Sequence, residues 1–298
     1  MDFSDDTKLD SLMGALFTPY KQSVTDVQKV IDALLSHAII SSEDEIVNDH
    51  IAFRTLGVPN LGIASFEKLF LHYGYVKKDY YFFKEKKLNA YWYAPPSPKY
   101  PRIFISELRV DDLPEKAKTI LNKYTKDILQ DPVDKIDLNN VESVGNFFYK
   151  PLWDLPTITD YQELQKISEY AAWVLYNRYY LNHYTISVHD LKPPYNSLES
   201  FNDFLISIGI TLNTAGGVIK TSADGLLKQT SSVAKMIDAI FKDGEHLKIS
   251  GSYVEFAERL PYPKSTNDTE PTRRRDGFES ANADKIFEST YSSQTKKS

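Results

Sequence analysis

The 298-residue chain contains no cysteine, which excludes a disulfide framework, a thiolate metal site and a cysteine nucleophile. Long apolar runs are missing too. No stretch approaches the roughly 18–20 consecutive apolar residues of a membrane-spanning helix. Positive charge is in deficit, with 35 Lys and Arg against 41 Asp and Glu for a net charge of −6. That balance disfavours a nucleic-acid partner, whose recognition needs a basic face. The chain also lacks a P-loop, a dinucleotide-binding glycine fingerprint after a strand, a zincin helix motif and a nucleophile elbow, and Gly216-Gly217 reads as a turn. The start, Met1-Asp2-Phe3-Ser4-Asp5-Asp6, is acidic and has no apolar signal-peptide core. Together with the absent cysteines it predicts a cytoplasmic protein.

Apolar residues make up 42% of the chain and charged residues 26%, the composition of a globular protein. Aromatics are abundant, with 20 Tyr and 16 Phe. The tyrosines cluster at Tyr73–Tyr81, Tyr91–Tyr93 and Tyr176–Tyr184. Two uses are open to them: packing on wide sheets, or rimming a pocket that keeps water from a reactive centre.

Hydrophobic spacing predicts two amphipathic helices, Lys8–Phe17 and Val24–Ser36, separated at Pro19. A strand at His50–Leu56 precedes a helix at Ser65–His72, with Ser65 as its N-cap, and strands at Tyr80–Lys84, Leu88–Tyr93 and Arg102–Val110 follow. Leu113–Tyr124 reads as a helix, Thr125–Pro156 as a mixed excursion and Asp160–Tyr180 as one long helix. The order strand, helix, strands then returns: His183–Val188, Leu198–Ile208, Val218–Thr221, Leu226–Ser231 and Tyr253–Leu260. Ser265–Glu270 reads as a loop and Ala281–Ser289 as a closing helix. The fold class is α+β, a cupped mixed sheet built from two βαβββ units with added helices. The expected division is 1–45 for N-terminal helices, 46–124 for the first unit, 125–180 for a helical insertion, 181–290 for the second unit with its closing helix, and 291–298 for a disordered tail. The duplication rests on element order, since no residue-level repeat is visible.

Three of these strands carry a metal-ligand type in the middle of a β alternation. On Asp49–Arg54, alternation puts His50, Ala52 and Arg54 on one face and Ile51 and Phe53 on the other. The imidazole and guanidinium are then roughly 7 Å apart along the strand. His183 shares a polar face with Thr185 and Ser187. Glu255 lies in an apolar run and shares a face with Tyr253, Ala257 and Arg259, while Glu258 faces the other way and is expected to pair near the strand end. Two histidines and a carboxylate are the protein ligands of non-haem iron oxygenases. If the strands adjoin, the chain is a metal-dependent oxygenase. If not, His50, His183 and Glu255 are ordinary polar residues of an α+β protein. His37, His72, His189 and His246 are read as structural or surface residues. Gln229 is a candidate hydrogen-bonding group toward a substrate. Arg275, in the run Arg273-Arg274-Arg275, is a candidate for an acidic substrate group, and Glu107 a candidate for orienting a ligand from behind.

The segments Asp49–Thr55, Arg102–Leu108, Asn182–Thr185, Gly225–Ser232, Tyr253–Arg259 and Arg275–Glu279 together resemble the 2-oxoadipate dioxygenase/decarboxylase family, over roughly residues 45–290. The resemblance implies a vicinal-oxygen-chelate-like fold. It also implies an Fe(II) enzyme that converts 2-oxoadipate and O₂ to 2-hydroxyglutarate and CO₂ in lysine catabolism. Matched residue by residue, it puts the metal ligands on His50, His183 and Glu255 and the substrate arginine on Arg54. The final strand around Glu255, the Gly277-Phe278 turn and the closing helix are also similar to 4-hydroxyphenylpyruvate dioxygenase, which strengthens Gln229. The partners so implied are a small 2-oxo acid and O₂, with no nucleic acid and no membrane. Two alternatives stand beside this reading: a related metal enzyme acting on another 2-oxo acid, and a metal-free protein that binds a small anion.

Overall fold

The computed structural model describes residues 7–263 and 273–296, and the loop expected at Ser265–Glu270 lies outside them. Helices α1 (Lys8–Ser23) and α2 (Thr25–Ser36) open the chain. The expected break at Pro19 does not occur, because α1 continues through it. A mid-helix proline deprives the carbonyl four residues back of its donor. Here the Tyr149 hydroxyl approaches Ala15 O at 3.3 Å and donates to Leu16 O at 2.8 Å.

The first unit consists of β1 (Asn48–Leu56), α3 (Ile63–His72), β2 (Val76–Phe83), β3 (Leu88–Ala94) and β4 (Arg102–Leu108). An intervening helical region holds α4 (Glu115–Thr125), α5 (Val141–Phe147), α6 (Ile158–Ile167) and α7 (Glu169–Asn177). The single helix expected over Asp160–Tyr180 is broken at Ser168, which leaves helical geometry and accepts a hydrogen bond from Ala171 N at 3.1 Å. A serine in mid-pattern competes for backbone donors and makes a better N-cap than helix interior.

The second unit consists of β5 (His183–Ser187), α8 (Leu198–Ser207), β6 (Lys220–Thr221), β7 (Leu227–Ser231), β8 (Met236–Ile240), β9 (His246–Ser250) and β10 (Tyr253–Arg259). The β8–β9 hairpin went unforeseen, although Asp243-Gly244 between apolar alternations is a hairpin signal. The chain closes with α9 (Ser280–Ile286), a 3₁₀ turn at Phe287–Thr290 and α10 (Ser292–Thr295). The last of these is helical within the end expected to be disordered from 291 onward, of which residues 297–298 lie outside the described residues. Ser292 N donates to Glu169 Oε2 at 2.6 Å, tying α10 to α7.

Eight strands form one sheet in the order β2-β3-β4-β1-β5-β10-β7-β6. Within each half the pairing is the same. β1 runs parallel to β4 as β5 does to β10, and β4 is antiparallel to β3 as β10 is to β7. The halves meet where β1 and β5 pair antiparallel, with Ala52 opposite His183. The β8–β9 hairpin is a separate two-stranded sheet inserted into the second unit.

All nine residues of β1 are buried, as befits a strand covered on both faces. On its outer face Phe53 packs among Phe66, Phe70 and Phe148 at ring separations of 4.8, 5.5 and 5.5 Å. Each such ring contributes roughly 1.5–3 kcal/mol by leaving water. This packing face is what turns His50, Ala52 and Arg54 into the cup.

A repeat hidden in the sequence becomes visible in the side chains. Glu107 on β4 accepts from Ile63 N at the start of α3 (2.8 Å), and Glu258 on β10 accepts from Leu198 N at the start of α8 (2.9 Å). The two glutamates occupy the same register position, since His50 lies opposite Arg102 and His183 opposite Tyr253. Glu107 therefore caps a helix and does not orient a ligand. Nor is Ser65 the N-cap of α3: its hydroxyl donates to Asp131 at 2.6 Å. Gly62, which precedes α3, has φ of +83°, and a Cβ there would overlap Glu107 Oε2.

Candidate metal centre

The three strands that carry ligand-type residues are β1, β5 and β10, which are consecutive in the sheet. His50, His183 and Glu255 are 2%, 5% and 0% exposed. One potential ligand atom from each lies within 4.8 Å of the others. Glu255 Oε1 is 3.5 Å from His50 Nε2, and Oε2 is 3.1 Å from His183 Nε2. The imidazole rings meet edge to face with centroids 5.5 Å apart.

Both imidazoles are held in the same way. His50 Nδ1 bonds the side chain of the residue before it, Asp49 Oδ1, at 2.8 Å, and His183 Nδ1 bonds that of its own predecessor, Asn182 Oδ1, at 3.0 Å. Carboxylate and amide oxygens can only accept, so each Nδ1 carries the proton and each Nε2 is left with a lone pair, that of His50 lying 3.1 Å from the Thr185 hydroxyl. Nothing in composition flags this, but the dipeptides Asp49-His50 and Asn182-His183 are the signal in the sequence.

Asp49 is anchored in turn. Arg259 Nε and Nη2 donate to its two oxygens at 2.6 and 2.8 Å, and both side chains are only 2% exposed. A buried pair of this kind needs its remaining donors satisfied. Arg259 Nη1 meets this need by donating to Gly277 O at 2.7 Å and Arg275 O at 3.1 Å. The same contacts seat the Gly277-Phe278 turn, so that Phe278 packs on His50 at 4.8 Å. On the other side Tyr253 stacks on His183 at 4.8 Å. The aromatics thus serve both purposes open to them, core packing behind β1 and exclusion of water around the imidazoles.

The electrostatics follow from this geometry. Burial alone would raise the Glu255 carboxyl, but the facing imidazoles outweigh it and hold the group down at about 2. Burial likewise opposes a charged His50, yet the Glu255 and Asp49 carboxylates win and raise its pKa. For His183 burial prevails, and its pKa is lowered. Asp49 is held well below the usual carboxylate range, because the Arg259 and Arg102 charges overcome its burial.

The donor set suits a first-row divalent metal such as iron: two imidazoles and a carboxylate, with no thiolate to select a softer ion. One atom in particular fits this role. Glu255 Oε2 is buried and, although 3.1 Å from His183 Nε2, makes no hydrogen bond. Buried carboxylate oxygens are rarely left so, and a cation between the three side chains would satisfy it. In the first unit, the position matching Glu255 holds Phe104. The duplication therefore brings together three ligand-type side chains and not four.

Arg54 lies in the same cup, 1% exposed. Its guanidinium donates to Thr290 Oγ1 at 2.9 Å and Phe287 O at 3.0 Å, and it sits 5.1 Å from the rings of both Tyr170 and Trp173. Its Nε has no partner. Among the described residues no carboxylate lies within ion-pair distance of it. Gln229 is also at the site, but its amide is engaged at both ends: Nε2 donates to Glu255 Oε1 at 2.7 Å, and Oε1 accepts from Asn282 at 3.1 Å. Arg275 is not brought to the centre. Its guanidinium reaches Asp224 at 3.3 Å and Glu279 at 3.8 Å. Asp49, Asn182, Arg259 and Asn282 complete the site and were not anticipated.

Residues 12–267 match the family model described as 2-oxoadipate dioxygenase/decarboxylase. The chain belongs to the 2-oxoadipate dioxygenase/decarboxylase family. A family member from Arabidopsis thaliana, a chloroplastic 2-oxoadipate dioxygenase/decarboxylase, is 40% identical over 299 residues, spanning 95% of this chain and 78% of that one. A chloroplastic or amyloplastic enzyme of the same name from Oryza sativa is 42% identical over 265 residues, spanning 84% and 71%. The crystal structure of the Oryza sativa hydroxyglutarate synthase in complex with 2-oxoadipate superimposes with a TM-score of 0.85 at 38% identity, covering 96% of this chain and 93% of the other. A glyoxalase-superfamily protein from Ralstonia eutropha shares the fold, with a TM-score of 0.65 at 19% identity. The architecture is thus the vicinal-oxygen-chelate-like cup expected from the sequence.

The plant relatives also overturn the cytoplasmic placement, since their names assign them to plastids. The expectation rested on missing apolar segments and missing cysteines, and plastid import uses leaders without an apolar core. Among the described residues, no helix is long and apolar enough to cross a membrane.

Proposed function

We propose that this oxygen-using, decarboxylating enzyme converts 2-oxoadipate and O₂ to 2-hydroxyglutarate and CO₂, with His50, His183 and Glu255 holding a divalent iron. The observation that carries the proposal is the convergence of these three buried side chains, with Glu255 Oε2 left without a hydrogen bond. Bound there, iron would supply the redox chemistry that brings O₂ and the 2-oxo acid to reaction.

The protein groups around it have separate tasks. Asp49 and Asn182 fix the tautomers of the two imidazoles. Arg54 binds and orients a substrate carboxylate. Its buried cation lacks a carboxylate partner among the described residues, and burying a charge unpaired is costly. A substrate carboxylate provides the counter-charge and can use the free Nε–H, in the forked geometry that guanidinium offers. Phe278 and Tyr253 cover the imidazoles and keep water from the centre. Gln229 steadies the Glu255 carboxylate from the side away from His183. An acidic substrate suits this cup because Arg54 brings to it a buried cation that has no carboxylate partner among the described residues.

The test is O₂ consumption by Fe(II)-loaded protein across 2-oxo acids of increasing chain length, with products identified by mass. The proposal expects uptake to be greatest with 2-oxoadipate, one CO₂ per O₂, and 2-hydroxyglutarate as product. Greatest uptake with another acid would replace the substrate, and no uptake with any 2-oxo acid would overturn the activity.

A further inference from the structure

The two oxygens of Glu255 are treated differently. Oε1 accepts from Gln229 Nε2 at 2.7 Å, while Oε2 has no hydrogen-bond partner. The difference depends on which end of the Gln229 amide faces Glu255. An amide turned end over end has nearly the same shape, so its neighbours decide the orientation. Behind Gln229 stands Asn282 on α9, 1% exposed, whose Nδ2 lies 3.1 Å from Gln229 Oε1.

Asn282 is oriented in its own right. Its Nδ2 also lies 3.2 Å from Lys220 O and 3.3 Å from Leu227 O. Backbone carbonyls only accept. A reversed Asn282 would set its oxygen against both carbonyls, and in the observed orientation its Oδ1 goes without a partner. The two backbone carbonyls therefore fix the side chain. Polarity runs in one direction, from carbonyls of β6 and β7, through Asn282, then Gln229, to a single oxygen of Glu255.

We infer that Asn282 is a positioning residue that makes Glu255 a one-oxygen metal ligand and ties the seating of α9 to the metal centre. With Asn282 in place, Gln229 must donate to Oε1, and Oε2 alone is presented beside His183. Without it, Gln229 is free to turn, its oxygen repels Oε1, and the carboxylate loses its fixed aspect. Because α9 supplies the asparagine, displacing the helix from the cup releases the same constraint. The inference rests on the reading of His50, His183 and Glu255 as metal ligands.

The experiment titrates metal-free protein with Co²⁺, reading the dissociation constant by chelator competition and the coordination from the visible spectrum. Outer partners of metal ligands typically contribute about 10–100-fold in affinity. Asn282→Ala is expected to weaken Co²⁺ binding by about tenfold and to change the spectrum. Asn282→Ser, which fits within the space of the asparagine, is expected to shift both in the same direction and covers the case in which the alanine variant fails to fold. In a Gln229→Met background, Asn282→Ala should add nothing further, because Asn282 acts through Gln229. Unchanged affinity and spectrum in the folded single variants, or fully additive losses in the double variant, would overturn the relay alone. A wild-type protein that binds no Co²⁺ would overturn the metal reading and this inference with it.

Discussion

Replacing Asp49 with asparagine separates two tasks that one side chain performs. Asp49 accepts from His50 Nδ1 at 2.8 Å and balances the buried Arg259 through bonds of 2.6 and 2.8 Å. Asparagine keeps an oxygen for the imidazole but removes the charge and turns one acceptor into a donor that faces Arg259. Hydrogen bonds to charged groups contribute about 1.5–3 kcal/mol each, and breaking a buried ion pair costs about 3–5 kcal/mol. Since one Asp49 oxygen survives as an acceptor, Asp49→Asn should destabilise the metal-free protein by about 2–4 kcal/mol. The second unit shows what it does to the metal site, because Asn182 already holds His183 with an amide. Metal affinity should therefore fall by no more than about tenfold. Denaturant unfolding of the metal-free protein gives the first quantity and chelator competition the second. A loss of affinity beyond a hundredfold with unchanged stability would refute this division of labour.

Arg54→Lys keeps the charge but cannot reproduce the forked donors. It should retain metal and lose about 2 kcal/mol of transition-state binding, roughly thirtyfold in kcat/KM. Unchanged kinetics would remove Arg54 from the substrate site. Metal affinity should fall on acidification, with the first proton taken by His50. Its pKa is raised above the ordinary 6.5 by Glu255 and Asp49 despite burial, whereas that of His183 is lowered by burial. The neutral imidazole is the ligand, so binding weakens as the pH drops through the raised value. A pH titration of metal affinity checks this, and affinity that stays flat through that range would contradict it.

The strands and their faces were legible because alternation is a local property. Ile51 and Phe53 turn to the aromatic core, which leaves only one face for His50 and Arg54. That β1, β5 and β10 adjoin came from element order, together with the family resemblance. What escaped the sequence depends on contacts between distant segments. Glu107 and Glu258 look like unrelated strand glutamates until each meets the first amide of its own helix. Arg259 shares a face with Glu255 in the alternation, yet its bond to Asp49 spans most of the chain. Asn282 lies in an unremarkable polar helix and matters only through Gln229. Arg275 went to surface carboxylates for the opposite reason: a basic run has no inherent direction, and the nearby Asp224 and Glu279 engage its guanidinium. The Ser168 break and the path of α1 through Pro19 show local signals resolved by neighbours, in one case by a cap and in the other by the Tyr149 hydroxyl.

The metal centre is tested most directly by equilibrium dialysis of the metal-free protein against Fe²⁺ under anaerobic conditions, wild type beside His183→Ala. The account predicts one iron per wild-type chain and a variant that keeps its circular dichroism spectrum but loses the metal. Full iron occupancy in His183→Ala would contradict it.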